Sequence, residues 1–415
     1  MTLLTLLDPD TGEPLTADTP HSLKAGGTRW PVCAGVPYLR SGRDAIRSES
    51  LRLLDAGDAD GGLAVLLTDQ DPFAPVAPPT GSECRSIVTD VRAGACGLRE
   101  AMARLHFGPV ADYFAVRTST PTFLSGLGLL SQYGGRLPLV EVACGLGQLL
   151  REPDRREQPV AGIDLVFSKL WLARQFVVPD AELVCGDIGG RPFTEARVAV
   201  TVLCHDAFYF FPDKPAAAVA LMKLSGTGGR VLVGHAHNAA ADHGGVAGNL
   251  LTPQGYADLF RGCEVFDDAG FTAAHLTGVP AQPDHPAAFE GVEAVSLAWQ
   301  EWAEFFPGPP DGYAVPIEGT SLVLNPLLEV VDGVLAPRWP SPKFAAEYRN
   351  ADYLTGEPVP SDAVLADAAF FCDYVLGDGD DVHVLGDYDG VLWEVRIETL
   401  RLVRKRILLP AGDVI

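Results

Sequence analysis

The chain is short of positive charge. Its 415 residues carry 31 Lys and Arg against 54 Asp and Glu, a formal net charge of −23. Phosphate backbones are gripped by clustered Lys and Arg, and no long cluster occurs, so nucleic acid is not an expected partner. Long hydrophobic runs are also missing. No stretch approaches the ~20 apolar residues of a spanning helix, so no membrane partner is expected either. Met1 to Asp8 lack a basic flank and a long apolar core, and do not read as a signal peptide. The eight cysteines are scattered, with no CxxC pair. That speaks against structural zinc and for reduced thiols in a cytoplasmic protein.

What the chain does have is a strand ending in glycines. Leu139 to Val142 is a short apolar run, and Gly145 and Gly147 follow as a turn that lets backbone N–H groups approach a ligand. Glu141 sits inside that run and needs a partner. Val160 to Asp164 is a second run ending in an acid. A carboxylate roughly 20 residues past such a turn stands where a ribose diol is held. Glu182 to Ile188, Val198 to Cys204 and Gly229 to Gly234 read as further strands, with helical spacing between them. Alternating strands and helices imply a parallel sheet covered on both faces, with ligands outside the carboxyl ends of the strands. Glu141, Asp164, Asp187 and His205 all fall there.

These residues carry a resemblance. The region from Phe107 to Phe271 resembles a class I S-adenosylmethionine-dependent methyltransferase. Glu141-Val-Ala-Cys-Gly-Leu-Gly147 is similar to that family's acid-x-Gly-x-Gly-x-Gly motif, with Ala143 in place of the first glycine. Gly162-Ile-Asp164 resembles its ribose-binding acid. Gly186-Asp187-Ile188 with Pro192-Phe193 resembles its adenine-contacting segment, and Met222 to Val233 its glycine turn before the fifth strand. The resemblance implies an α/β, Rossmann-like seven-stranded sheet and S-adenosylmethionine as cofactor. It places Glu141, Ala143, Gly145, Gly147, Asp164, Leu165, Asp187, Ile188 and Cys204 around that cofactor. A nicotinamide fingerprint would need a third glycine where Leu150 stands.

Upstream, Tyr113 and Arg117 lie one helical turn apart. Arg117 is a candidate for the cofactor's carboxylate, with an ordinary ion pair as the alternative. Downstream, His205, His235, His237 and His243 fall on two neighbouring strand ends. In the family these loops lie nearest the methyl group and its acceptor. His205 and His237 are the candidate general bases, with Asp206 as orienter, and Phe208 to Phe211 would wall an organic acceptor. A sharper variant is a metal site. His235 and His237 alternate by two and share a face, so His205 or Asp206 could complete two imidazoles and a carboxylate.

Four segments are expected. Residues 1–48 form a small β module. Asp8 and Thr11, with Trp30-Pro31-Val32 and Gly35-Val36-Pro37, resemble the zinc-ribbon-like activator of tRNA methyltransferases, without its metal ligands. Residues 49–135 are a helical linker and cap, with a proline-rich loop at 72–81. Residues 136–279 are the methyltransferase core, in which Asp268 to Phe271 turns into a late strand. Residues 280–415 are a mixed α/β accessory domain: helix from Val292 to Phe306, hairpin around Asp332-Gly333, helix from Leu365 to Leu376, strand from Val391 to Ile397. The acidic 377–381 loop reads as a solvated turn, and Arg401 to Arg406 as an exposed face. That domain would cap the pocket or form a homodimer surface. The function expected is methyl transfer to a small organic acceptor at O, N or C. The alternatives are a non-catalytic cofactor-binding scaffold, or a different reaction of the same cofactor.

Overall fold

The computed structural model describes residues 2–70, 76–241, 248–300, 322–348, 351–361, 374–376, 382–384, 398–399, 401–410 and 413. Its N-terminal strands are β1 (Leu4–Leu6), β2 (Thr16–Thr19), β3 (Ser22–Ala25), β4 (Thr28–Cys33) and β5 (Val36–Leu39). Helices α1 (Asp44–Asp55), α2 (Ala59–Leu67), α3 (Gly81–Arg92), α4 (Leu98–Arg104), α5 (Pro109–Val116) and α6 (Pro121–Leu129) follow. The next elements alternate: β6 (Leu139–Val142), α7 (Arg151–Asp154), β7 (Val160–Asp164), α8 (Phe167–Phe176), β8 (Glu182–Gly186), β9 (Thr194–Ala196), β10 (Thr201–His205), α9 (Lys214–Ser225) and β11 (Arg230–His237). Then come α10 (Pro253–Leu259), β12 (Glu264–Asp267), α11 (Asp268–Thr277) and β13 (Ala294–Gln300).

These strands build one sheet of eleven, not seven, in the order β12-β13-β11-β10-β6-β7-β8-β5-β4-β3-β2. The strands from β11 to β5 run parallel, and β13 is antiparallel to both its neighbours. The strand order reverses at β6, which pairs with β7 on one side and β10 on the other. Such a switch point opens a crevice at the strands' carboxyl ends. Each sheet face is covered by its own apolar cluster. One contains Leu203, Leu232 and Phe271, the other Val140, Val202 and Phe208.

The extra four strands are the N-terminal β module, and their source is a shared edge. Tyr38 and Leu39 pair in parallel with Cys185 and Gly186, so the module extends the sheet instead of packing beside it. A second seam joins Leu4–Leu6 to Thr194–Ala196. A buried carboxylate organises the first turn of this module. Asp8 is fully buried, its Oδ1 accepts from the N–H groups of Asp10 (2.8 Å) and Thr11 (3.0 Å), and its Oδ2 accepts from the Trp30 indole (3.0 Å). One carboxylate thus fixes the turn.

Three further expectations change. Asp268 to Phe271 opens helix α11 rather than turning into a strand. Residues 294–300, read as helix from their aromatic spacing, form β13 in the central sheet, so the sheet extends past residue 279. The glycine turn leads only into the four-residue α7, because Pro153 removes a donor early.

Beyond β13, β14 (Leu322–Leu324), β15 (Leu328–Val331), β16 (Val334–Pro337), α12 (Pro342–Glu347), β17 (Glu357–Pro358), β18 (Tyr374–Leu376), β19 (Val382–Val384) and β20 (Leu408–Pro410) are described. The expected hairpin is present, with Asp332 and Gly333 both at positive φ (51° and 82°) between β15 and β16, as a two-residue turn requires. Tyr374–Leu376 is strand, not the end of a helix. The rest of that helix, the 377–381 loop, the 391–397 strand and residues 72–75 of the proline loop lie outside the described residues. Arg406 is buried and stands over the Phe123 ring, and Leu402 and Val403 are buried too, so 401–406 is not an exposed face.

Replacing Asp8 with Ala strands the buried Trp30 indole donor and releases the turn N–H groups of the exposed Asp10 and Thr11. The midpoint of chemical denaturation should fall by the equivalent of about 2–4 kcal/mol. A shift under about 0.5 kcal/mol would show that the carboxylate does not hold the turn.

Candidate functional site

β6 ends in a turn of left-handed residues. Ala143, Gly145 and Gly147 all take positive φ (58°, 56° and 71°). For Ala143 this is a strained position, costing roughly 1–2 kcal/mol relative to a right-handed residue. Glycine is needed at 145 for a second reason: a Cβ there would come within 2.9 Å of the Phe114 ring. Asp164 ends β7, and both its oxygens are used locally: Oδ2 accepts from Gly145 N–H and Oδ1 from Val166 N–H, each at 2.8 Å. Asp187, just past β8, is exposed and accepts from Gly189 N–H at 2.9 Å. Leu165 is half-buried and accepts a long contact from the Cys185 thiol. Ile188 and Cys204 are buried in the apolar cluster on one sheet face, so their side chains belong to the core.

Glu141 is buried, and its Oε2 has no hydrogen-bond partner. Burial pushes its carboxyl up to about 8, and Asp164 adds to the shift against the opposing charge of Arg117. At neutral pH it is a protonated acid aimed at no protein acceptor.

Arg117 meets a carboxylate, but the carboxylate is the protein's own. It lies in the short turn after α5 and pairs with Asp206 at 3.1 Å, with both side chains largely buried. Its guanidinium also stands over the Tyr113 ring, 5.0 Å from the centroid, and contacts Thr122 Oγ1. Tyr113 donates to Asp206 Oδ2 (2.9 Å) and Tyr209 to Oδ1 (2.8 Å). Burial alone would raise Asp206, but the Arg117 charge and the neighbouring histidines hold it below the usual range. Asp206 therefore gathers two phenols and a guanidinium. It does not orient His205.

His205 is not placed as a base. Its Nε2 contacts the Thr122 carbonyl at 2.5 Å. Its Nδ1 lies against Gly234, where an added Cβ would come within 2.0 Å of it. Burial and the Arg117 charge push it down to about 4, so the ring is neutral. Helix α6, which supplies Thr122, is pressed onto α11 at Gly128, where a Cβ would meet the Phe271 carbonyl at 2.3 Å.

The oriented histidine is His235. The pairing register shifts between Val233 and Ala236, and His235 takes φ 49°, as a β-bulge does when it re-aims a side chain. Its Nδ1 contacts Asp268 Oδ2 at 2.7 Å, its backbone N–H donates to Asp268 Oδ1 at 3.1 Å, and Ser296 donates to that same oxygen at 2.6 Å. Burial lowers a histidine, but here the Asp268 charge overrides it and raises His235 to about 9. His237 lies next to it, ring edge to face at 4.7 Å, and also meets Tyr209 at 4.8 Å. Asp206, His235 and His237 thus come together, with one ligand atom each inside 4.8 Å. His243 lies outside the described residues. The aromatic run splits: Phe208 is core, Tyr209 turns to Asp206 and Phe210 is exposed.

Two members of this cluster escape sequence reading. Asp268 and Ser296 reach His235 from 33 and 61 residues away, on elements whose type was misread. Tyr209 was visible only as one aromatic in a run.

No family model matches the chain, and no curated protein matches it. Among solved structures it is similar to a TehB-like SAM-dependent methyltransferase of Corynebacterium glutamicum, at 16% identity and TM-score 0.32 over 43% of this chain and 88% of that one. It is similar to phosphoethanolamine N-methyltransferase 2 of Haemonchus contortus in complex with phosphomonomethylethanolamine and S-adenosylhomocysteine, at 16% identity and TM-score 0.33 over 43% and 48%. A SAM-bound amino pentose methyltransferase from Micromonospora echinaspora matches at 22% identity and TM-score 0.21 over 36% and 55%. All three are methyltransferases. Among the described residues, no helix is long and apolar enough to cross a membrane.

Glu141 gives a pH prediction. A carboxyl raised in the folded state binds more protons folded than unfolded between its two pKa values. Stability then falls as pH rises from about 4.5 to about 8. Over that window this one group should remove roughly 2–4 kcal/mol. Glu141→Gln should flatten the pH dependence of the melting temperature between pH 5 and 8. An unchanged slope would place the proton elsewhere.

Proposed function

We propose that the chain is an S-adenosylmethionine-dependent methyltransferase acting on a small organic acceptor. The observation that carries this reading is Glu141: a buried carboxyl with an unpartnered oxygen, at the switch point of a parallel sheet, directly before a turn of positive-φ residues. Buried polar groups without partners are rare and ask for a ligand. The surrounding residues fit the cofactor. Backbone groups at Gly145 and Gly147 can approach it closely, and Glu141, Asp164 and Asp187 offer carboxyl groups at three successive strand ends for its amine and hydroxyls. When bound, S-adenosylmethionine supplies an electrophilic methyl group on a sulfonium.

The chain's own residues do the rest. Phe114 packs over Gly145 and shields that side of the turn from water. Tyr113, Tyr209 and Arg117 are fixed by Asp206; the two phenols spend their single O–H on it and offer only acceptor lone pairs, while Arg117 has further N–H groups to donate to the polar end of an acceptor. His237 replaces His205 as the first candidate to take the acceptor's proton, because His205 is committed to a backbone carbonyl. The positively charged His235 is a donor rather than a base at neutral pH. The net charge of −23 favours neutral or cationic acceptors over polyanions.

Calorimetric titration of the full chain with S-adenosylmethionine and S-adenosylhomocysteine tests the reading. Micromolar binding is expected, weakened at least tenfold in Asp164→Ala and in Asp187→Ala. The second variant matters because Asp187 is exposed and its side chain makes only one turn hydrogen bond, to Gly189 N–H. No binding to the unmodified protein would move the scaffold reading ahead.

A further inference from the structure

The Asp206, His235 and His237 cluster contains more than the methyl-transfer reading uses. Four features bear on it. First, the three side chains come from the ends of two adjacent strands and put one ligand atom each within 4.8 Å of the others. Three ligands at about 2.1 Å from one ion stand roughly 3.0–3.4 Å apart, so small side-chain rotations close the set. Second, His235 already has the support that metal-bound imidazoles have. Its Nδ1 is tied to Asp268, and Asp268 is tied in turn to Ser296. That leaves Nε2 for a metal ion, which takes the place of the proton on that nitrogen, and fixes the ring plane. Third, Asp206 keeps capacity. Oδ1 accepts from Tyr209 alone, while a carboxylate oxygen offers two acceptor sites. Fourth, the cluster is buried: His235 is 8% and His237 6% exposed, so the ligands are shielded from competing water.

From this we infer that Asp206, His235 and His237 form a binding site for one divalent transition-metal ion, with Asp268 positioning His235. Two imidazoles with a single carboxylate suit zinc, iron or manganese; magnesium and calcium favour oxygen-only sets. Three protein ligands leave coordination positions for water or an oxygen donor. Arg117 sits 3.1 Å from the other Asp206 oxygen and holds the carboxylate in place from the far side. The inference depends only on protein ligands and not on cofactor binding; an ion held here takes His237 out of the role of proton acceptor, and a metal-bound water or hydroxide stands in its place.

The test uses the full chain, stripped with chelator and free of S-adenosylmethionine. It is titrated with zinc chloride by calorimetry, and with cobalt(II) while the visible d–d absorption is recorded. One ion per chain is expected, with cobalt bands characteristic of a low-symmetry nitrogen and oxygen site. His237→Ala and the closer-sized His237→Gln should each weaken binding at least about 100-fold. Asp268→Asn should weaken it about 10–100-fold, as loss of a supporting carboxylate does. His21→Ala, outside the cluster, should change nothing. Near-ultraviolet circular dichroism reports whether each variant keeps its packing, and at least one His237 variant with native packing decides the matter. No ion bound by the unmodified chain, or binding unchanged in a folded His237 variant, overturns the inference. Metal binding without S-adenosylmethionine binding would remove the methyltransferase reading and leave the metal site.

Discussion

The arrangement of the site depends on one buried ion pair, Arg117 with Asp206. Asp206 ends the first half of the β10 loop, and Arg117 closes α5. Their contact at 3.1 Å fixes how the helical cover sits on the sheet. Two phenols complete the carboxylate's hydrogen bonding, which is what lets a buried pair survive its own desolvation cost. The C-terminal segment is organised around the same turn. Asn325 donates to Ser119 Oγ at 2.8 Å, Tyr353 donates to the Ser119 carbonyl at 3.0 Å, and Val116 packs in one cluster with Leu335, Phe344 and Tyr348. Cover, the end of β10 and C-terminal segment therefore meet at residues 113–119.

A second pair lies close by. His235 and Asp268 carry opposite charges, as do Arg117 and Asp206, and the rings of His205 and His235 lie 6.4 Å apart. Charges alternate across the cluster and sum to zero. The neutral members, His205 and Glu141, are neutral for the same reason: burial disfavours a charge that has no counter-ion in contact. One low-dielectric crevice thus contains charged donors, a protonated acid and neutral imidazole. This range of states comes from placement, since the side chains are ordinary.

Much of this was legible in the chain. Strand ends announce themselves by short apolar runs closed with an acid or glycine, so β6, β7, β8 and β10 were read near where they lie, with Glu141, Asp164, Asp187 and Asp206 in or just past them. The signal failed where long-range contacts decide. Nothing near His205 says that Thr122 will take its Nε2, and nothing near His235 says that Asp268 will hold its Nδ1. β13 was misread because aromatics at three-residue spacing mimic a helix, while its alternation is hidden by burial on both faces. The N-terminal β strands were visible as a small module. Its fusion to the sheet edge was not, because an edge pairing through Tyr38 and Leu39 leaves no trace in either local pattern. Ala143 looked like a mild departure from glycine, yet its φ of 58° makes it a strained one.

The central claim is that the crevice at the end of β6 is a cofactor site. Hydrogen exchange of the full chain, with and without S-adenosylhomocysteine, tests it at the level of single segments. Protection should rise in peptides covering 141–150 and 162–168, and in the 107–119 cover that must close over the ligand, with little change in β2–β4. Protection that is uniform, or absent from 141–150, would contradict the account.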